Sequence, residues 1–247
     1  MLKISAIVDI GLVRTKNDDR ILLGNQVYSE GEYNLEIDNE YFLCAVCDGI
    51  GGYLHGDLAA EMTLSELSKV NDFSIENLLA AINNSNDKVL QKQKESNEFS
   101  KMGTTLSGVA IKDNDVIIYN IGDSRVYIYN EDDFKQLTHD HSQVQRMVDA
   151  KLITKEEARL NPLRNIITGY IGKVDFHPDI IYHKNIFNKG NYLLICSDGV
   201  TDIIDDDDIK KILSSDEDVK VKARMIVEEV KKNGAYDNIS IIIIQKN

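Results

Sequence analysis

Apolar and polar residues alternate through the first ten positions, with Ile4, Ala6, Val8 and Ile10 on one side of an extended chain, and this period of two predicts a strand. Residues 21 to 35 are polar with scattered apolar positions and predict a short strand plus a loop. Tyr41 to Cys47 (YFLCAVC) is a continuous small and apolar run, which predicts a buried strand. Helical spacing follows. Leu58, Ala59, Met62, Leu64 and Leu67 stripe Asp57 to Val70, and Ile75, Leu78, Leu79, Ile82, Val89 and Leu90 stripe Ser74 to about Gln93. Three strand-like pieces come next: Thr104 to Ile111, Asp115 to Ile121 and Arg125 to Tyr129. Their separators, Lys112-Asp113-Asn114 and Gly122-Asp123-Ser124, are of hairpin type and predict an antiparallel meander.

The stretch from Ser142 to Asn161 is charged, with one or two short helices ending before Pro162, and reads as a surface excursion. Tyr192 to Cys196 (YLLIC) is a short strand, and Val219 to Lys231 is an amphipathic helix. Ile239 to Gln245, with four consecutive isoleucines, is a strand buried on both faces. Asp205 to Asp208 directly precede IKKIL, where a helix N-terminus favours negative charge; no calcium-loop spacing is present. Two consecutive helices between strand groups favour an α+β fold over a strict βαβ repeat. No repeat or linker divides the chain, so one domain is expected over 1–247.

With 28 basic and 41 acidic residues the net charge is −13, which argues against a nucleic-acid or anionic-membrane surface. A phosphate-handling site in such a chain needs metal ions or a local Arg. Cys44, Cys47 and Cys196 lie in apolar runs and are expected as buried thiols in a reducing cytoplasm. Cys44 and Cys47, three apart in a strand, should point to opposite faces and share no ligand. The N-terminal apolar run is too short and too charged for a signal peptide, and no stretch approaches a membrane span, so a cytoplasmic protein is expected.

The chemistry-bearing residues sit at strand ends. Asp48 begins Asp48-Gly49-Ile50-Gly51-Gly52 after the buried strand, Asp198-Gly199 follows YLLIC and a serine, and Asp237-Asn238 precedes the last strand. Two more acidic turns, Asn17-Asp18-Asp19 and Gly122-Asp123-Ser124-Arg125, occupy the same kind of junction. Carboxylates converging without His or Cys select hard cations such as Mg²⁺ or Mn²⁺ over zinc. Without cations, their mutual repulsion would raise their pKa values.

Taken in order, Arg14, Asn17-Asp18-Asp19, Asp48-Gly49-Ile50-Gly51-Gly52, Met102-Gly103-Thr104-Thr105, Gly122-Asp123-Ser124-Arg125, Asp140-His141-Ser142, Arg164-Asn165, Ser197-Asp198-Gly199 and Asp237-Asn238 resemble the metal-dependent protein phosphatases. This is the type 2C serine/threonine phosphatase family, in its compact bacterial form. The resemblance covers the chain from Gly11 to Ile244 and implies a four-layer α-β-β-α sandwich of two antiparallel sheets flanked by helices. It also implies that the segment at about 142–165 forms a flap over the site.

Carried over residue by residue, it implies a centre of two Mn²⁺ or Mg²⁺ ions. Asp48 would bridge them, the Gly49 carbonyl would bind one, and Asp198 and Asp237 the other. Asp18 and Asp19 would hold metal-bound waters, and Asp123 with Asp198 a weaker third ion. Arg14 would grip the phosphate, as a planar, permanently charged fork can. The implied reaction is hydrolysis of phosphoserine and phosphothreonine in proteins by a water bridging two ions about 3.5 to 4 Å apart. The implied partners are phosphoprotein targets of a serine/threonine kinase, met by a monomer with no nucleic acid or membrane. The rival expectation is a catalytically weak or dead relative that binds phosphoproteins. The chain departs from the family at Ile50, where many relatives have His, and at Tyr53, Asn161 and Gly169-Tyr170; Ile50 cannot protonate a leaving alcohol.

Overall fold

A computed structural model describes residues 1–38, 41–50, 55–131 and 133–247. One antiparallel sheet runs in the order β4 (Gly31–Ile37), β1 (Leu2–Asp9), β12 (Ile239–Lys246), β11 (Tyr192–Cys196), β8 (Arg125–Tyr129), β9 (Phe134–Gln136). The other runs β10 (Asp179–His183), β7 (Asp115–Ile121), β6 (Leu106–Lys112), β5 (Tyr41–Cys47), β2 (Arg20–Leu23), β3 (Gln26–Tyr28). Helices α1 (Gly56–Leu67) and α2 (Ile75–Gln93) pack on the outer face of the second sheet. Helices α5 (Asp198–Thr201), α6 (Asp206–Leu213) and α7 (Val219–Lys232) cover the first. The expected four layers are therefore present, and α3 (Gln143–Asp149) and α4 (Lys155–Arg159) lie in the excursion between β9 and β10.

The period of two sorts each central strand between two cores. In β12, Ile242 and Ile244 enter the layer between the sheets, while Ile239, Ile241 and Ile243 meet the helices. Burying each of these side chains is worth roughly 2 kcal/mol, so a register slip of one residue would still leave isoleucines inside on both faces. Register comes instead from β1 on one side and β11 on the other, both antiparallel to β12. In β5 the same alternation turns Cys44 into the layer between the sheets and Cys47 toward α1 and α2. Both thiols are free and buried, on opposite faces as expected. Asp205 caps α6 by accepting from the Asp208 N–H at 2.9 Å, which places Asp206 to Asp208 in the first turn.

Two expectations are corrected. Arg125 to Tyr129 does not continue the meander: β6 and β7 form a hairpin, but β8 pairs with β11 and β9 in the opposite sheet. The turn Gly122-Asp123-Ser124 is a crossing between sheets, and β6 side chains hold it there: Ser107 Oγ donates to the Ser124 carbonyl at 2.6 Å. Residues 21 to 35 hold parts of three strands, β2, β3 and β4, not one strand and a loop. β4 is a sheet edge whose Glu32, Asn34 and Glu36 face solvent, and these polar positions diluted the alternation of Tyr33, Leu35 and Ile37.

Candidate functional site

Register brings the strand ends to one rim of the sandwich. Asp9 pairs with Ile239, Cys196 with both Ile241 and Arg125, and Arg20 with Cys47. The turns bearing Asp18-Asp19, Asp48, Asp123, Asp198 and Asp237 therefore open on the same edge. The Gly51, Gly52 and Tyr53 positions of the glycine turn lie outside the described residues.

The backbone of Asp48 is held from both sides. Its N–H donates to Thr105 Oγ1 at 3.0 Å, and its carbonyl accepts from the Thr105 N–H and from Thr104 Oγ1, each at 2.8 Å. Thr105 Oγ1 also lies 2.8 Å from Ser124 Oγ, which ties this clamp to the turn of Asp123. Two glycines let the loops close up. A Cβ on Gly49 would stand 2.6 Å from the Asp18 carbonyl oxygen, and one on Gly199 would stand 1.9 Å from that of Asn238.

Asn238 fastens the loop that carries Arg14 and Asp18. Its Nδ2 donates to the carbonyls of Ile10 at 3.0 Å and Lys16 at 3.1 Å, and its Oδ1 accepts from the Asp18 N–H at 2.9 Å. Asp19 is 1% exposed, and one of its oxygens accepts from Ser197 Oγ at 2.9 Å. Ser197 in turn pairs with Ser240 of β12 through both its N–H and its hydroxyl.

The carboxyl groups act on one another. Burial, then the charges of Asp198 and Asp19, hold Asp48 well above the aspartate range, and Asp48 and Asp198 lie within hydrogen-bonding reach. Burial followed by Asp202 lifts Asp198 to about 6, with Asp237 adding to it. Burial, together with Asp198 and Asp237, lifts Asp19 to about 7 against the Ser197 hydroxyl. Asp123 is likewise raised, by burial and then by Asp198 and Asp140. Asp198 bears on each of Asp48, Asp19 and Asp123, so the charges gather at the rim.

Asp237 stands differently. Arg14 donates to both of its oxygens, and among the described residues no three acidic, His or Cys side chains already close around one point as a metal cage. Asp18 is paired with Lys16 at 3.1 Å, and Lys16 bridges it to Asp57 at 2.5 Å. His141 and His139 turn to Asp179 and Asp149 instead of joining this group.

Lys16 and Asp202 are site residues that pattern reading missed, and Asn238 entered it only as part of Asp237-Asn238, with no role given. Asp202 is one helical turn beyond Asp198 and receives Arg164 Nε at 3.3 Å; that spacing of four was the available signal. Beside Asp123 and Asp198 a cavity of about 350 Å³ runs toward the excursion, with Val144, Val148 and Arg159 on its far wall. The donor set of this rim, all carboxylate and carbonyl oxygen, fits Mg²⁺ or Mn²⁺.

A family model described as protein phosphatase 2C matches residues 8–239. Protein phosphatase PhpP of Streptococcus pneumoniae is 31% identical, over 100% of this chain and 98% of its own. The crystal structure of serine/threonine phosphatase Stp1 from Staphylococcus aureus superposes with a TM-score of 0.88 at 30% identity, covering 100% of this chain and 96% of that one. The catalytic domain of the serine/threonine protein phosphatase PstP, solved with two manganese ions, gives a TM-score of 0.82 at 26% identity, with 99% of both chains covered.

Proposed function

This chain belongs to the protein phosphatase 2C family, and from that membership we propose how its residues divide the work of a metal-dependent serine/threonine protein phosphatase. Asp48 and the Gly49 carbonyl would hold divalent cations together with Asp198 and Asp237. Asp18 and Asp19 would order water around them, and Asp123 with Asp198 would take a weaker third ion. The observation that carries this assignment is the approach of the Asp48 and Asp198 carboxyls, delivered from opposite sheets and both raised chiefly by burial, with the charge of Asp198 adding to it at Asp48 and that of Asp202 at Asp198. A fold that brings such groups together without His or Lys between them suits bound cations.

Divalent ions in such a site supply a water of lowered pKa and offset charge building on the phosphoryl oxygens. The chain's own residues bind and orient. Arg14 would receive the phosphoryl oxygens with its fork, and Thr104 and Thr105 fix the Asp48 turn so that its carboxyl would need little reorganisation. Ile50 carries no proton, so the leaving alcohol is not protonated from that position.

We extend the reading to phosphoprotein substrates made by serine/threonine kinases and to a monomer of one domain, with the 142–165 excursion as a flap. Among the described residues no helix is long and apolar enough to cross a membrane, and three buried free thiols suit a reducing cytoplasm. The relatives named above are phosphatases, which supports an active enzyme over a dead binding module. The test is phosphate release from phosphothreonine and phosphoserine peptides with Mn²⁺ and with a chelator, beside a metal count by mass spectrometry. Turnover that survives complete metal removal would overturn the reading.

A further inference from the structure

Next to the Arg14–Asp237 pair the chain exposes apolar side chains. Leu12 and Val13 are 61% and 64% exposed, Tyr236 is 41% and Leu163 is 40%. They are tied to one another. The Leu12 N–H donates to the Ala235 carbonyl at 2.8 Å, so residues 12–14 run beside 235–237. Arg164 from the excursion donates through Nε to Asp202 at 3.3 Å and bears on Tyr236, and Leu163 directly precedes it in the chain.

Isolated exposed apolar residues are ordinary, but a group beside a reactive centre is a binding surface. A small phosphate ester held at Arg14 is too short to cover it. A protein substrate is different: with its phosphate at Arg14, its flanking residues reach the adjoining segments 12–14 and 235–237, where Leu12, Val13 and Tyr236 are exposed. Contact there removes apolar surface from water on both partners. Strongly acidic flanks meet instead a chain of net charge −13.

We infer that Leu12, Val13, Tyr236 and Leu163 are specificity determinants that favour phosphoserine or phosphothreonine segments with aliphatic or aromatic neighbours. The inference rests on the phosphatase reading and on Arg14 as the phosphate clamp. It assigns these four side chains to the flanks of the substrate and not to the phosphoryl group.

The experiment compares three substrates on the full chain with Mn²⁺: a phosphothreonine peptide with Leu and Val around the phosphoresidue, the same peptide with Ser at those positions, and para-nitrophenyl phosphate. The expected kcat/KM for the apolar peptide is about tenfold above that for the serine peptide, carried by KM. Leu12→Ser with Val13→Ser, and separately Leu163→Ser, reduce that ratio toward one. All three positions are solvent-exposed, and an unchanged melting temperature shows that each variant folds. A wild-type ratio within twofold of one, or a ratio that neither variant moves, overturns the inference while turnover of the aryl phosphate leaves the phosphatase reading standing. Loss of aryl phosphate turnover in the wild-type chain overturns both. A shift from dimer to monomer in Leu12→Ser/Val13→Ser, with no change in peptide preference, assigns the surface to a second copy and also overturns it.

Discussion

Arg14 donates through Nε to Oδ1 of Asp237 at 2.9 Å and through Nη2 to Oδ2 at 2.7 Å. The contact spans 223 positions of sequence and joins the residue proposed to grip phosphate to one proposed to ligate metal. Oδ1 also accepts from the Asn238 N–H at 2.8 Å, so a cation bound by Asp237 would either share Oδ2 with Arg14 through its second lone pair or displace one of these hydrogen bonds. The two side chains are 43% and 32% exposed, and such a pair contributes about 1 kcal/mol or less. Any such displacement would be small beside the binding of a divalent ion, and it would free guanidinium donors for the phosphate proposed to bind there.

Arg14→Ala is accordingly expected to raise KM for a phosphopeptide by about tenfold or more while leaving Mn²⁺ affinity unchanged or tighter. Calorimetric titration with Mn²⁺ beside steady-state kinetics checks both halves. Metal affinity falling in step with KM would mean that Arg14 supports the metal ligands instead of competing for one of them.

Asp198→Asn removes a charge that bears on Asp48, Asp19 and Asp123. In chelator the variant should melt a few degrees above the wild type, on the order of 1 kcal/mol of relieved repulsion. With Mn²⁺ its turnover should fall at least about a hundredfold. A variant that melts lower without metal would show that favourable contacts to the carboxylate outweigh the repulsion.

The metal-free protein should lose stability as pH rises through neutrality. Asp19 at about 7 and Asp198 at about 6 both lie above the ordinary value of 3.8. Folding favours their protonated forms, so their contribution is complete below 3.8 and is lost as pH climbs through 6 and 7. His183, whose pKa burial lowers, works in the opposite sense near and below 6.5. Thermal unfolding in chelator is therefore best followed from about pH 6.5 to 8, straddling the upper of these transitions. The melting temperature should decline, the decline should shrink in Asp19→Asn, and saturating Mn²⁺ should abolish it. A flat profile in chelator would contradict the placement of Asp19 beside the charged rim.

Asn238→Ala deletes two donated hydrogen bonds and one accepted, at a cost of about 3 kcal/mol. Urea denaturation should show the loss without a change of slope. Limited proteolysis should then cut between Gly11 and Asp18, the loop that this side chain fastens. A stable variant with an intact loop would remove Asn238 from the structural role given to it.

Much of this site could be read from the chain because each carboxylate follows or precedes a strongly apolar strand, and strand ends in a sandwich are confined to its two rims. The strands themselves were legible where both faces are buried, as in Tyr41 to Cys47 and Ile239 to Gln245. Edge strands were not: β3, β9 and β10 are short and half-exposed, so their alternation is too brief to register. The passage of β8 into the opposite sheet was hidden because a turn such as Gly122-Asp123-Ser124 has the same composition whether it closes a hairpin or crosses between layers. Arg14 on Asp237 and Asn238 on Lys16 were out of reach for another reason. Motif spacing lists which residues are present at a site, while these contacts depend on how two distant loops lie against each other.

The strand at the centre of the first sheet is also the one made last. β12 lies between β1 and β11, and it follows directly on Asp237. Removing the segment from Ile239 onward therefore leaves β1 and β11 without their shared neighbour and frees the Asp237 loop at the same time, so the sheet and the acidic rim fail together.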